Sequence, residues 1–244
     1  MPGSDEMVDA DAHMVAGQPL PSSRKPLDRD RIVATAITYI DEFGLPGLSM
    51  RRLGSMLGVE AMSLYRYVPG RENLLDAVVD TIMAEMQEDA EVLDGPENGW
   101  QDFLMRLAHG VRRVAIAHPK AFPLVASRPV EAPWLRPPLR SMAWVDKFLN
   151  SLIGEGFSDD AAAGAYRAFT SFLLGHLLLE VSSKGADVGP LDVVDDGEDR
   201  NERSMDHPTV ERLRGALSED HSAIEFEESL ESLLNRIALI QAES

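Results

Sequence analysis

The side chains best equipped for chemistry cluster in residues 49–75, SMRRLGSMLGVEAMSLYRYVPGRENLL. Arg51, Arg52, Arg66 and Arg71 bring guanidinium groups, and Ser63, Tyr65 and Tyr67 bring hydroxyls. Such groups hold phosphate oxygens and base edges; they do not form a bond-breaking set. Their surroundings favour a polyanion. Residues 24–71 hold eight Lys and Arg (Arg24, Lys25, Arg29, Arg31, Arg51, Arg52, Arg66, Arg71) against five acids (Asp28, Asp30, Asp41, Glu42, Glu60). That is a net of +3 in a chain of net −18, so the remainder sums to −21. A nucleic acid is drawn to this window and repelled elsewhere.

Two short helices and a turn must position these side chains. Met50, Leu53, Met56 and Leu57 fall at helical spacing behind Ser49, a good cap. Gly58 can take the left-handed conformation that stops a helix. Val59 then returns to the core, and residues 60–68 are long enough for two further helical turns before Pro69-Gly70 ends them. This is helix-turn-helix geometry, whose second helix enters the major groove. An ordinary helical hairpin is the alternative on composition alone, and the local positive charge argues against it.

The rest of the chain reads as helical. Residues 1–23 are acidic and patternless, a disordered tail. Asp28 caps a helix whose core stripe is Ile32, Val33, Ala36, Ile37, Ile40 and Phe43, with Gly44 as its stop. A long helix over 71–93 ties this region to the C-terminal part of the chain. Further helices are expected over 100–118, 121–126, 139–154, 159–183 (capped by Ser158), 208–217 and 223–241. A proline-rich connector at 129–138 and a flexible acidic loop at 184–206 separate them. Strand-like alternation is absent, so the fold class is all-α.

Composition bounds the rest. At 244 residues with 44% hydrophobic content the chain can bury a substantial core. It has no cysteine, which fits a reducing cytoplasm. Neither a signal peptide nor an apolar run of membrane-spanning length is evident. There is no phosphate-cradling Gly loop, nucleophile elbow or paired carboxylate, so an enzyme is not expected. His109, His118 and His176 lack zinc spacing, and the acidic loop lacks the pattern of a calcium loop; no metal and no cofactor are expected.

The motif LGVEAMSLYRYVPGRENLLDAVV resembles the DNA-binding segment of the TetR family of bacterial transcriptional regulators, in its tetracycline-repressor-like branch. The resemblance continues upstream through 28–47 and downstream through WQDFL, SRP, EGFS and Gly175-His176, covering nearly all of 25–242. It implies a three-helix DNA-binding domain over 24–72 and a helical ligand-binding and dimerisation domain over 73–244. Its DNA-contacting positions fall on Met50, Arg51, Ala61, Met62, Ser63, Tyr65, Tyr67 and Arg71. Arg51 suits the guanine edge, Ala61 and Met62 a thymine methyl, and Ser63, Tyr65, Tyr67 and Arg71 phosphates. Family members often carry a polar side chain at Ala61 and Lys at Arg71, so the tetracycline operator does not transfer.

Following the same resemblance, Gln87 stands at a drug-binding His position and Leu124 or Val125 at the metal-ligating one, which disfavours a magnesium-bound drug. The expected effector is a small organic molecule of little charge, held by Met86, Gln87, Trp100, Phe103, Leu107, Val111, Leu124, Ser127, Trp144, Phe148 and Phe172. For each of these, a place in the core is the alternative. A homodimer is expected through Phe169, Leu173, His176, Leu177, Leu230, Leu234 and Ile237, with the intrachain core as the alternative there too. The function implied is a cytoplasmic, ligand-responsive repressor on a palindromic double-stranded operator. An activator of the same fold, or a helical protein-binding adaptor, is the other option.

Overall fold

Local capping lays down the first helices. Asp28 Oδ1 accepts the Arg31 N–H (2.7 Å) to open α1 (Arg29–Phe43). Ser49 Oγ accepts that of Arg52 (3.3 Å) to open α2 (Met50–Leu57). Gly58 closes α2 in the left-handed conformation at φ 69°. A computed structural model of the chain describes residues 26–88, 95–127, 142–188 and 207–243, and every regular element among them is a helix. After α1 and α2 come α3 (Ala61–Leu64), α4 (Arg71–Glu88), α5 (Trp100–Ala117), α6 (Phe122–Ser127), α7 (Met142–Gly154), α8 (Asp159–Ser183), α9 (Pro208–Ser218) and α10 (Ser222–Ala242). The tail 1–23, Arg24, Lys25, residues 89–93, the proline connector and 189–206 lie outside the described residues.

The second helix of the helix-turn-helix, α3, is shorter than expected. It spans four residues, and residues 65–67 form turns in which the amides of Tyr67 and Val68 both donate to the Leu64 carbonyl (2.9 Å each). Glu60 gives it no side-chain cap, and Pro69 disfavours a helical Val68, so both ends are pinched.

Two apolar cores share helices α4 and α6, the latter giving Phe122 to one and Leu124 to the other. The first gathers Ile32, Ile40, Leu53, Leu64, Leu74 and Ile82, all fully buried, from α1–α4, so the packing of the N-terminal head (α1–α3) runs on through α4 to Ile82. The second gathers Phe103, Phe148, Phe169, Leu177 and Phe226 from α5, α7, α8 and α10, and takes Met86 from the end of α4. Within it Glu180 of α8, 4% exposed, receives both Nε (3.0 Å) and Nη2 (2.7 Å) of Arg112 on α5. That bidentate pair holds the guanidinium pKa above its ordinary value.

The expected dimer residues need correction. Phe169, Leu173, Leu177, Leu230, Leu234 and Ile237 are buried inside the single chain, and His176 packs against Phe172 and Phe226. A helix turns its most apolar stripe to its own core, and that is where this stripe goes. The side chains of α8 and α10 left to solvent include Leu179 (73% exposed), Ile224 and Leu239. Helix α9 buries no residue at all.

Candidate nucleic-acid interface and effector cavity

The close approach of α2 to α3 rests on Gly54. A Cβ there would lie 2.8 Å from the Val59 carbonyl oxygen and 3.1 Å from the Ala61 nitrogen. Val59 N–H donates back to Gly54 O (2.9 Å), locking the turn. This brings Arg51, Met62, Tyr65, Tyr67 and Arg71 to solvent, with Ala61 and Ser63 half-buried beside them. Met50 is the exception. It lies on the stripe of Leu53 and Leu57 and is buried, so it supports the head from within and offers DNA nothing. Arg52 is exposed but tied to α1, its Nη1 donating to the Tyr39 hydroxyl (3.3 Å) with the guanidinium 5.7 Å from the ring centre. Arg66 is exposed on the same turn as Tyr65 and Tyr67. The face is a set of donors around a four-residue helix, suited to holding phosphates while one or two side chains touch bases.

A cavity of about 80 Å³ lies where the second core meets α4. Met83 and Met86 of α4, Leu107, Val111 and Val114 of α5, and Phe122 and Val125 of α6 form one side. Trp144 and Phe148 of α7 with Tyr166, Phe169, Thr170, Leu173 and Leu174 of α8 form the other. Among these lining residues the polar side chains are Tyr166 and Thr170, hydrogen-bonded to each other. Burial pushes the Tyr166 phenol up to about 12, partly offset by that bond, so it stays a neutral donor.

Of the expected effector residues, Met86, Leu107, Val111, Trp144 and Phe148 line this cavity. Others do not. Trp100 gives its indole N–H to Gln241 Oε1 (3.0 Å) and meets Phe157 edge-on; Phe103 is buried beside Phe148; Phe172 stacks on Phe226. Leu124 and Ser127 line a separate space of about 400 Å³ beside Phe43, Pro46 and Lys120, between head and body. The side chain of Gln87 lies outside the described residues. Aromatic content singled these residues out, but it marks core and cavity wall alike. Tyr166 and Thr170 are not among the expected effector residues, although four-residue spacing on a long helix places a phenol and a hydroxyl on one face.

The histidines hold no metal arrangement; among the described residues no three His, Asp or Glu side chains are placed to hold an ion. His109 faces Glu227 (3.5 Å). His118, which ends α5, is bound at both ring nitrogens: Nδ1 to Asp41 Oδ2 (2.7 Å) and Nε2 to Glu85 Oε2 (3.0 Å). These carboxylates raise its pKa, the bond to Asp41 most, against the opposing effect of burial.

The family model described as "Tetracyclin repressor-like, C-terminal domain" matches residues 94–238. A transcriptional repressor of Streptomyces coeruleorubidus, DrrR1, is 33% identical over 149 residues, 61% of this chain and 52% of its own. The match thus spans about half the length of that relative. A crystal structure of a possible TetR family regulator from Streptomyces coelicolor A3(2) aligns at TM-score 0.66 and 27% identity, covering 87% of this chain and 100% of that one. The ActR protein of Streptomyces coelicolor, solved in complex with actinorhodin, aligns at TM-score 0.62 and 25% identity, covering 88% and 96%.

Proposed function

Because the chain belongs to the TetR family of transcriptional regulators, we propose that it is a ligand-responsive repressor that binds a palindromic operator as a homodimer and leaves it when a small organic effector occupies the cavity. One observation carries this: α4 sits in the core of the DNA-binding head through Leu74–Ile82 and in the cavity wall through Met83 and Met86. A molecule that moves the wall moves the head. Such a molecule is largely apolar and uncharged, held by contact with methionines and aromatic rings, with one polar group for Tyr166 or Thr170. No described helix is long and apolar enough to cross a membrane. Membership of a family of transcriptional regulators supports a cytoplasmic place of work.

The dimer forms through the solvent side of α8 and α10. On α8 the exposed positions Arg167, Ser171, Gly175 and Leu179 recur every four residues, and three of the four are small or apolar. Two heads on a twofold axis meet successive major grooves when their recognition helices lie about 34–36 Å apart, and an effector lowers affinity by favouring another spacing.

The test is selection of genomic fragments by the purified full chain at two salt concentrations. An enriched palindrome whose binding weakens steeply with salt is expected. No enrichment, with weak binding even at low salt, would refute the regulator and leave a protein-binding helical module.

A further inference from the structure

His118 bonds to the head and to the connecting helix one turn beyond the cavity wall. Its own helix, α5, contributes Val114 to the cavity wall one turn earlier, and α6, which contributes Phe122, comes directly after it. Its Nε2 partner Glu85 lies on α4 between the wall residues Met83 and Met86. Its Nδ1 partner Asp41 belongs to α1, in the head. Both contacts are to carboxylates, which accept when ionised, so the two bonds are satisfied together when both ring nitrogens donate and the imidazole carries its second proton.

Charged groups face the ring from two helices. Asp41 comes from α1 and Glu85 from α4. The nearby Lys120 instead gives its Nζ to the Glu42 carbonyl (2.7 Å), and α6 carries no titratable side chain. Asp41 Oδ1 is buried and has no hydrogen-bond partner among the described residues, so His118 balances this carboxylate.

We propose that the His118 imidazolium is the joint through which cavity occupancy reaches the DNA-binding head: one proton clamps α1 to α4 at the end of α5. This rests on the regulatory role proposed above. Spreading the wall separates α5 from α4, and the joint converts that separation into a pull on α1. Residues 26–88 contain no histidine, so the head has no imidazole of its own to titrate near neutral pH. Deprotonation of His118 removes a donor and leaves two carboxylates facing a neutral ring, so the head is uncoupled from the cavity as pH rises through the raised pKa.

The experiment needs no DNA, so its failure is separate from that of the fragment selection. Amide hydrogen exchange along α1 is followed in the full chain with and without the neutral apolar fluorophore N-phenylnaphthylamine as cavity probe, whose binding is read by its own emission. In the native protein the bound probe should change α1 exchange by about tenfold, as expected when a local opening equilibrium is shifted. His118→Gln should bind the probe yet lose this response. His118→Arg, a permanent cation that can meet both acids, should keep it and keep it at high pH, where the native protein loses it. Glu85→Gln, which leaves the Asp41 contact in place, should weaken it. An equal α1 response in native protein and His118→Gln, or no α1 response in the native protein with probe bound, would overturn the proposal.

Discussion

Replacing Gly54 by alanine tests whether the two helices of the head cross as closely as described. On an ordinary helix the change is favourable by about 0.5–1 kcal/mol, because alanine loses less backbone freedom. Here the added methyl would sit 2.8 Å from Val59 O, 3.1 Å from Ala61 N and 3.3 Å from Ala61 Cα. All three are backbone atoms, two of them in the recognition helix, and none is the yielding end of a flexible side chain. Overpacking of this kind costs about 1–3 kcal/mol. Setting about 2 kcal/mol of strain against the propensity gain leaves about 1 kcal/mol of net destabilisation, or a fall of about 2–4 °C in Tm for a chain of this size. DNA affinity should fall by more than stability, because the strain is relieved by pushing α3 off α2 and re-aiming Met62, Tyr65 and Tyr67. Thermal melts and titrations on a selected duplex measure both, with Ser55→Ala on the exposed side of α2 as a control expected within about 0.5 kcal/mol of the native protein. A Gly54→Ala protein that melts higher and binds DNA unchanged would refute the close crossing.

Other substitutions separate the remaining parts. Arg51→Ala should relax sequence preference, while Arg71→Ala should weaken all duplexes alike and reduce the salt slope by about one; equal losses on selected and scrambled DNA for both would contradict that division. Leu179→Glu, at the most exposed large apolar position on α8, should yield a folded monomer by light scattering with helical content intact; a persisting dimer would move the interface elsewhere. Arg112→Ala strands the buried Glu180 carboxylate and should cost about 3 kcal/mol in urea melts. The Tyr166 phenol, raised from 10.0 to about 12, contributes stability that is present below pH 10 and is lost as pH climbs towards its folded value. Tyr166→Phe should therefore flatten the stability profile in that range, and an unchanged slope would count against a buried phenol.

The features legible in the sequence are those settled within a few residues. Asp28, Ser49, Gly58 and Ser158 end helices by bonds to their own neighbours, and all four do so in the structure. Residues 159–183 likewise read directly as one helix, α8. Periodicity also marks each helix's apolar face, but it does not say which neighbour covers that face. That is why the stripe of Leu230, Leu234 and Ile237 suggests a second copy when it serves the chain's own core. For Met50 the spacing is the better guide: the resemblance gives it to DNA, whereas its place on the stripe with Leu53 puts it in the core, where the structure has it. Spacing along the chain shows only that His118 lacks a zinc pattern. Its partners lie 77 and 33 residues distant, and only the packing of α1 and α4 against the end of α5 brings them to it.

The size of the cavity between α4 and α8 has a kinetic meaning. About 80 Å³ is the room of two or three water molecules, whereas sites for drug-sized ligands run to about 300 Å³ or more. An effector large enough to act must wait for the walls to part, so its observed association rate should level off with concentration at the rate of that opening. Solutes small enough to lodge without parting the helices would occupy the space and leave operator affinity where it was. Such compounds would compete with the effector without mimicking it, so for this regulator the difference between an inducer and an anti-inducer would be bulk.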